Sequence, residues 1–368
     1  MNKVRVGIVG VGGMGASHLL SLKKVARTEL VAVCDINRRR ADSVAAEHGV
    51  KAFYDHHDLY ASGMVDAVLI VTPHYSHTPL TINAFNAGLH VLCDKPVAAH
   101  KADAEKMLAA HRQHPELKFA VMFQMRTSPL NMTLKKLIES GELGGITRIN
   151  WIVTDWFRTQ AYYDSGTWRA TWEGEGGGVL LNQCPHQLDL FQWFFGMPDK
   201  VRAFCVLGKN HHIEVEDEVM AYFEYANRAT AVFIASTGEA PGTNRLEITA
   251  ENGRVIVEDG KINFKRTEKP VGELLQLNEM FPKVKTGDED IAVPPGSQSA
   301  ELVITGFTDA IIDGKPLVAE GSEGIKSLEL ANAMLYSSLC GKTINFPLDS
   351  AKFKSRLRKL VAESSFKK

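Results

Sequence analysis

The hexapeptide Gly10-Val11-Gly12-Gly13-Met14-Gly15 follows an apolar run at 4–9 and precedes a helical pattern at 16–24. Its spacing suits a pyrophosphate: the first glycine permits a tight turn, the second lets the backbone approach the anion, and the third lets the helix pack close to the strand. Free N–H groups and the positive end of the helix then face the phosphates. Asp35 lies 20 residues beyond Gly15, at the end of a second apolar run, where a carboxylate can accept both hydroxyls of an adenosine ribose. That carboxylate would repel a 2′-phosphate, so the turn, with Gly13, Met14 and Arg38 counted on the cofactor side, points to NAD. Arg38 and Arg39 leave room for some NADP use.

Two further segments carry titratable side chains. One is Thr72-Pro73-His74-Tyr75-Ser76-His77 followed by Leu89-His90-Val91-Leu92-Cys93-Asp94-Lys95-Pro96, and the other is Gly176-Gly177-Gly178-Val179-Leu180-Leu181-Asn182-Gln183-Cys184-Pro185-His186-Gln187-Leu188-Asp189. With the glycine turn, they resemble the glucose-fructose oxidoreductase/inositol dehydrogenase/MocA family, in the right order and over essentially the whole chain. Where that family usually has Glu-Lys-Pro, this chain has Asp94-Lys95-Pro96, which keeps the lysine and a carboxylate shorter by one methylene. The resemblance implies that Lys95 lies beside the nicotinamide and the reacting hydroxyl, that His186 reaches the same hydroxyl from a second domain, and that Thr72, Pro73, His74, His77 and Asp94 lie toward the cofactor. For His77 a surface-loop reading is nearly as good.

Elementary chemistry agrees with those roles. Oxidising a secondary alcohol needs a group that takes the hydroxyl proton as hydride leaves carbon, and histidine titrates closest to working pH. An ammonium can steady the developing alkoxide. Proton transfer is therefore assigned to His186 and orientation to Lys95. Many members of the family carry aspartate four residues before the histidine; Asn182 stands there instead, an amide that can position substrate but cannot exchange a proton. Whether Lys95 shares the work of the base stays open. Asp189 either orients the imidazole or makes a structural contact.

Between these segments, three of the five tryptophans fall in 155–173, together with Arg158, Tyr162, Tyr163 and Arg169. Aromatic rings cover the C–H faces of a sugar ring while charged groups read its hydroxyls. Arg158, Trp168 and Arg169 are assigned to a sugar pocket, whereas Trp156 and Phe157 serve equally well as core. Arg126 either touches substrate or ties two domains together. His18 reads as packing. His56-His57 and His211-His212 do not read as metal sites, because adjacent strand residues point to opposite faces and no third ligand follows at metal spacing; no metal is expected.

The elements that must hold these groups follow from periodicity. Short apolar runs at 4–9, 30–34, 67–71, 91–93 and 119–122 alternate with helical patterns at 16–24, 38–48 and 79–87, the mark of a parallel sheet covered by helices. The fold class is thus α/β: a Rossmann-type, doubly wound NAD-binding domain over 1–124. A C-terminal α+β domain follows over 125–368 with a large, mostly antiparallel open sheet, drawn from runs at 148–154, 219–225, 229–236, 245–250 and 254–258. Residues 130–140, 300–313 and 324–340 read as helices, the closing ones free to pack back on the first domain, and 267–299 as an irregular excursion.

Composition excludes several classes. The 368 residues have a formal net charge of -1, so no acidic or nucleic-acid partner is implied. The one basic concentration, from Lys352 to Arg358 with Lys359, Lys367 and Lys368, reads as a solvated helix. No apolar run approaches the roughly 20 residues of a membrane span. The start lacks a charged leader, and five scattered cysteines suggest neither disulfides nor zinc, so a cytoplasmic protein is expected. An open sheet needs its far face covered, which predicts a homo-oligomer, a dimer or tetramer.

Hydride exchange at a sugar, glycoside or cyclitol carbon is the leading expectation. An NAD-dependent glycoside-cleaving enzyme, a redox-neutral sugar-to-sugar oxidoreductase with tightly held NAD, and a non-catalytic nucleotide sensor are the alternatives.

Overall fold

The computed structural model describes residues 2–366; Met1, Lys367 and Lys368, the last two counted with the basic tail above, lie outside the described residues. The first domain runs β1 (Val4–Val9), α1 (Gly13–Lys23), β2 (Thr28–Cys34), α2 (Arg38–His48), β3 (Lys51–Phe53), α3 (His56–Ala61), β4 (Ala67–Ile70), α4 (His74–Asn86), β5 (His90–Cys93), α5 (Lys101–His111) and β6 (Phe119–Val121). Its strands form one parallel sheet in the order β3-β2-β1-β4-β5-β6. All four residues of β4 are buried, as expected of a strand with helices on both faces. The order reverses between β1 and β4, and the carboxyl ends of strands at such a reversal form the usual ligand crevice of an open α/β sheet. The short edge strand β3 and helix α5 were not among the expected elements, and Pro79, read as a helix start, sits inside α4.

The chain then makes a 3-10 turn (Gln124–Thr127) and continues through α6 (Pro129–Glu139), β7 (Ile146–Val153), α7 (Gln160–Asp164), α8 (Val179–Asn182), α9 (Pro185–Phe195), β8 (Lys200–Leu207), β9 (Glu216–Glu224), β10 (Thr230–Ser236), β11 (Asn244–Ala250), β12 (Gly253–Glu258) and β13 (Lys261–Thr267). It closes with α10 (Val271–Leu274), β14 (Thr286–Ile291), α11 (Ala300–Asp313), α12 (Gly321–Cys340), β15 (Ile344–Asn345) and α13 (Ser350–Glu363). Nine strands pair in the order β14-β13-β12-β11-β7-β10-β9-β8-β15, antiparallel throughout except for β10 beside β7. The irregular excursion expected over 267–299 is corrected by β14, which pairs in register with β13. Its Thr-Gly-Asp-Glu-Asp-Ile sequence lacks apolar alternation because it is an exposed edge strand.

One face of this sheet packs on α9 and α12 around Trp151, Phe191, Phe223 and Phe233. The other face of β8 and β9 presents Phe204 and Met220 directly opposite each other, 59% and 53% exposed. Helix α11 crosses back to the first domain, where Val303, Ile304 and Phe307 share a core with Val4, Val6, Leu19 and Leu22. Arg27 bonds Asp309 and Asp313 at 2.6 and 2.5 Å on the rim of that contact. Helix α13 is amphipathic, burying Phe353 and Leu357 and turning Lys352 and Arg358 outward. Among the described residues no helix is long and apolar enough to cross a membrane.

Candidate active site

The phosphate turn owes its shape to two of its glycines. Gly10 takes φ 91, and a Cβ there would lie 2.3 Å from the Val71 carbonyl; a Cβ on Gly15 would lie 2.1 Å from the Gly10 carbonyl. Gly12 and Gly13 are different: their Cβ positions open into space, with nothing closer than Arg40 at 3.7 Å from the first and nothing within 4 Å of the second. Gly12 caps α1 without any side-chain bond, so the first N–H groups of the helix face that space, and Met14 is 53% exposed beside them. This is a cradle for a diphosphate.

Asp35 lies buried at the end of β2 and accepts from the N–H of Val11 at 3.1 Å and of Asn37 at 2.8 Å. The ribose-side carboxylate is thereby tied to the phosphate turn. The arginine that reaches it is Arg40, at 3.3 Å; Arg38 instead stacks on Tyr54, 4.3 Å from the ring centroid. Asn37 caps α2 through Arg40 N–H, and this cap aims the first helical turn, with Arg40, back at Asp35.

The loops after β4 and β5 meet at His77. Its ring nitrogens lie 2.7 Å from Thr72 O and 2.9 Å from Pro96 O, so the residue expected to face the cofactor is consumed in lacing the two loops together. His74 begins α4 and meets Glu175 O of the second domain at 3.2 Å; burial, then His77, lowers its pKa to about 3. Asp94 accepts from Lys95 N–H at 2.8 Å and has His18 of α1 at 3.7 Å, so His18 is packed against the site. Burial works to raise the Asp94 pKa, but His18 and Lys95 outweigh it and hold the carboxyl well below the usual range.

Lys95 reaches across the domain boundary. Its ammonium donates to the main-chain oxygen of Asn182 at 2.9 Å, at the end of α8 and four residues before His186. His186 sits in the first turn of α9, buried, with Phe123 edge-on at 6.1 Å between centroids. Its Nδ1 has no partner among the described residues. Burial, reinforced by the Lys95 charge, lowers its pKa to about 3, so the imidazole is neutral at pH 7. Burial also lowers Lys95, against the pull of Asp94 and Glu175.

The Asn182 side chain is fully engaged. Its Nδ2 donates to Glu175, and its Oδ1 accepts from Tyr162 at 3.1 Å and Gln183 at 3.2 Å. Tyr162 in turn accepts from Arg169 at 2.9 Å. The Arg158 and Arg169 guanidiniums flank the Tyr162 ring at 5.0 and 4.6 Å, and Arg169 also lies 4.6 Å from the Trp168 ring. The part-exposed Arg158 and Arg169 thus gather around one tyrosine, with Trp168 against Arg169. Sequence reasoning missed Glu175, which sits between a run of aromatics and a run of glycines and belongs to no motif.

Arg126 and Asp189 both make the structural contacts that were one of the two readings open to each. Arg126 is buried and bonds Asp189 at 2.7 and 2.6 Å and Glu323 of α12 at 3.1 Å. Its charge is spent inside the protein, so it ties elements together and does not meet substrate. Asp189 correspondingly takes the structural alternative, holding Arg126 and Gln192, and makes no bond to His186. The reason offered against a metal also changes: His56 and His57 are not on a strand but open α3 behind Asp55, and ligand atoms of the three lie within 4.8 Å of one another. Asp55 caps the helix through His57 N–H, and His56 Nε2 meets Asn83 at 3.0 Å.

Known proteins place this architecture. Residues 4–123 match the family described as "Oxidoreductase family, NAD-binding Rossmann fold", and residues 131–256 match "GFO/IDH/MocA C-terminal domain". An inositol 2-dehydrogenase from Rubrobacter xylanophilus is 31% identical over 209 residues, 56% of this chain and 56% of that one. Another from Corynebacterium glutamicum is 25% identical over 267 residues, 66% of this chain and 76% of its own. The matched part is thus about half the length of the first of these relatives. Among solved structures, the WlbA dehydrogenase from Bordetella pertussis, in complex with NADH and UDP-GlcNAcA, superposes with a TM-score of 0.80 at 28% identity, covering 94% of this chain and 100% of that one. A levoglucosan dehydrogenase with NADH and L-sorbose shares the fold, with a TM-score of 0.81 at 19% identity over 94% and 99% of the chains. The first domain is accordingly an NAD-binding Rossmann domain, and the chain belongs to the GFO/IDH/MocA oxidoreductase family.

Proposed function

We propose that this protein is an NAD-dependent oxidoreductase that moves a hydride between the nicotinamide and a secondary hydroxyl or ketone carbon of a sugar, glycoside or cyclitol. The observation that carries the reading is the Lys95–Asn182 O bond, which brings an ammonium from the cofactor domain to a residue four positions before the imidazole at the head of α9, close enough for its charge to lower the His186 pKa. The residues fit the cofactor: open space over Gly12 and Gly13, free N–H groups at the start of α1, and Asp35 fixed for a ribose. NAD supplies the hydride acceptor and donor. The protein supplies the rest.

The Lys95 ammonium orients the reacting oxygen and stabilises its negative charge as the proton leaves. His186, neutral because of burial, accepts that proton at its cleft-side nitrogen and returns it in the reverse direction. Arg158, Trp168 and Arg169 present stacked planes and N–H donors of the kind that hold a polyhydroxylated ring. The similarity to inositol 2-dehydrogenases and to a dehydrogenase crystallised with a nucleotide-linked sugar acid supports the substrate class. The exposed Phe204 and Met220 row supports a homo-oligomer in which a second copy covers the sheet, and five free cysteines agree with a reducing, cytoplasmic setting.

Purified protein screened against hexoses, uronates, inositols and glycosides with NAD should form NADH with at least one of them. Released aglycone without net NADH would move the assignment to glycoside cleavage, and no turnover with any of these classes would remove the reading.

A further inference from the structure

Glu175 is buried in the turn that leads into the glycine run, and both of its oxygens accept hydrogen bonds: Oε2 from Ala170 N–H at 2.5 Å and Oε1 from the Asn182 amide. Ala170 is one of three non-glycine residues with positive φ among the described residues, at 50°, and this bond holds it there. Both partners of the carboxyl are donors. A protonated carboxyl would point its hydrogen at one of them, so the geometry calls for the ionised form.

The bond to Asn182 has a consequence further out. An amide can face a carboxylate only with its NH2 side, which turns Oδ1 outward to Tyr162 and Gln183. Tyr162 then donates to Asn182 and accepts from Arg169 at 2.9 Å. The result is a hydrogen-bonded chain polarised one way throughout, from the Arg169 guanidinium through Tyr162 and Asn182 to the Glu175 carboxylate. Such chains reinforce each bond in them. The main-chain oxygen of the same Asn182 carries the Lys95 ammonium.

We propose that Glu175 is a positioning residue of this site: its carboxylate fixes the Asn182 amide, and through it the carbonyl and the negative field that hold the Lys95 ammonium over the reacting oxygen. The proposal deepens the hydride-transfer reading and rests on it for its kinetic consequence. Burial, partly offset by the Ala170 and Asn182 donors, raises the Glu175 pKa above that of an ordinary glutamate. The acid limb of kcat should therefore lie above the ordinary glutamate range and vanish in Glu175→Gln.

The test is a donor–acceptor swap. In Glu175→Gln, one of the two donors at Ala170 and Asn182 loses its acceptor, and kcat should fall about tenfold, the scale of one hydrogen bond to a charged group, with the KM for NAD within about twofold. In Glu175→Gln/Asn182→Asp, the new amide accepts from Ala170 N–H and donates to the new carboxylate, which restores the bond with reversed polarity; most of the lost kcat should return. A second arm needs no substrate. Competitive labelling of the free enzyme with acetic anhydride, read by peptide mass spectrometry, reports the titration of Lys95. Glu175→Gln should lower its pKa and speed its labelling at pH 8 severalfold. Circular dichroism and tryptophan quenching by NAD check that each variant is folded.

Wild-type kcat in Glu175→Gln, a double variant no better than the single ones, or unchanged Lys95 labelling overturns the proposal. A shift in labelling without turnover by wild type on any sugar would instead overturn the hydride-transfer reading and leave the positioning of Lys95 standing.

Discussion

The phosphate turn and the chamber around Lys95 and His186 share the carboxyl edge of one parallel sheet, yet they are built in opposite ways. The turn is local: six consecutive residues and a carboxylate at the end of the next strand define it, and the constraints on Gly10 and Gly15 come from nearby backbone, the Val71 carbonyl on the adjacent strand's exit and the Gly10 carbonyl itself. The chamber is assembled from afar. Lys95 comes from the loop after β5, Asn182 and His186 from the end of α8 and the start of α9, and Arg169 from the loop before the glycine run. What holds it is Arg126 with Asp189 and Glu323, and His74 with Glu175, all crossing between distant parts of the chain. A site split this way lets the first half bind a constant cofactor while the second half changes its substrate with a few loop residues.

Four experiments would break or sharpen that contrast. The largest effect is expected from Arg126→Met, which leaves Asp189 buried without its partner: stability should drop by about 3 kcal/mol or more in denaturant unfolding. NAD affinity of the folded fraction should hold. If the variant unfolds at the wild-type midpoint, the chamber does not depend on this tie.

Next come two mirror-image variants, each expected to change its readout by about 100-fold. Gly15→Ala puts a methyl group against the Gly10 carbonyl, displaces the helix start, and should weaken NAD by about 100-fold in quenching titrations. His186→Ala should lower kcat by about 100-fold and leave NAD binding alone. Exchange of those two phenotypes would show that the halves are not separable.

A smaller effect concerns pH. His74 and His186 titrate near 3 when folded, because burial disfavours their charge, and near 6.5 when unfolded. Between those values the unfolded chain binds protons that the folded chain refuses, so stability is full above pH 6.5 and falls as pH drops. Between pH 7 and pH 5 each histidine should cost on the order of 1–2 kcal/mol, so the wild-type Tm should fall relative to that of His74→Gln, while the buried Glu216 and Asp189 carboxyls, raised in the folded state, act the other way equally in both proteins. A Tm difference between wild type and His74→Gln that stays constant from pH 7 to pH 5 would contradict the burial argument.

The smallest is Asp35→Ala, expected to weaken NAD by about tenfold and to narrow the preference over NADP. Because Arg40 then loses its partner, Asp35→Ala/Arg40→Ala should relax selectivity less than Asp35→Ala does. Equal selectivity in the two would show that Arg40 plays no part in reading the ribose.

Much of the first domain was legible because buried parallel strands are short apolar runs and the helices between them repeat on a different period. The misses have physical causes. Strand β14 is an acidic edge with no buried face to imprint a pattern, and β3 is three residues long. For His77 and Arg126 the sequence left a ligand-facing and a structural reading open because their types suit both; their partners are main-chain oxygens and two carboxylates brought in by folding. Glu175 could have been suspected only by asking what satisfies the amide of an asparagine whose carbonyl meets a lysine.

What the amino-acid order determined by itself was everything that depends on neighbours a few residues apart: the turn that admits a diphosphate, the strand and helix alternation, and the presence of a lysine and a histidine in motifs suited to alcohol oxidation. Only the tertiary structure decided which polar side chains face the cleft and which are spent inside. A hydrogen bond or ion pair is satisfied by whichever group the fold delivers within about 3 Å. For Arg126 and Asp189, that group lies 63 residues away along the chain, and for Arg126 and Glu323 197, where spacing carries no information.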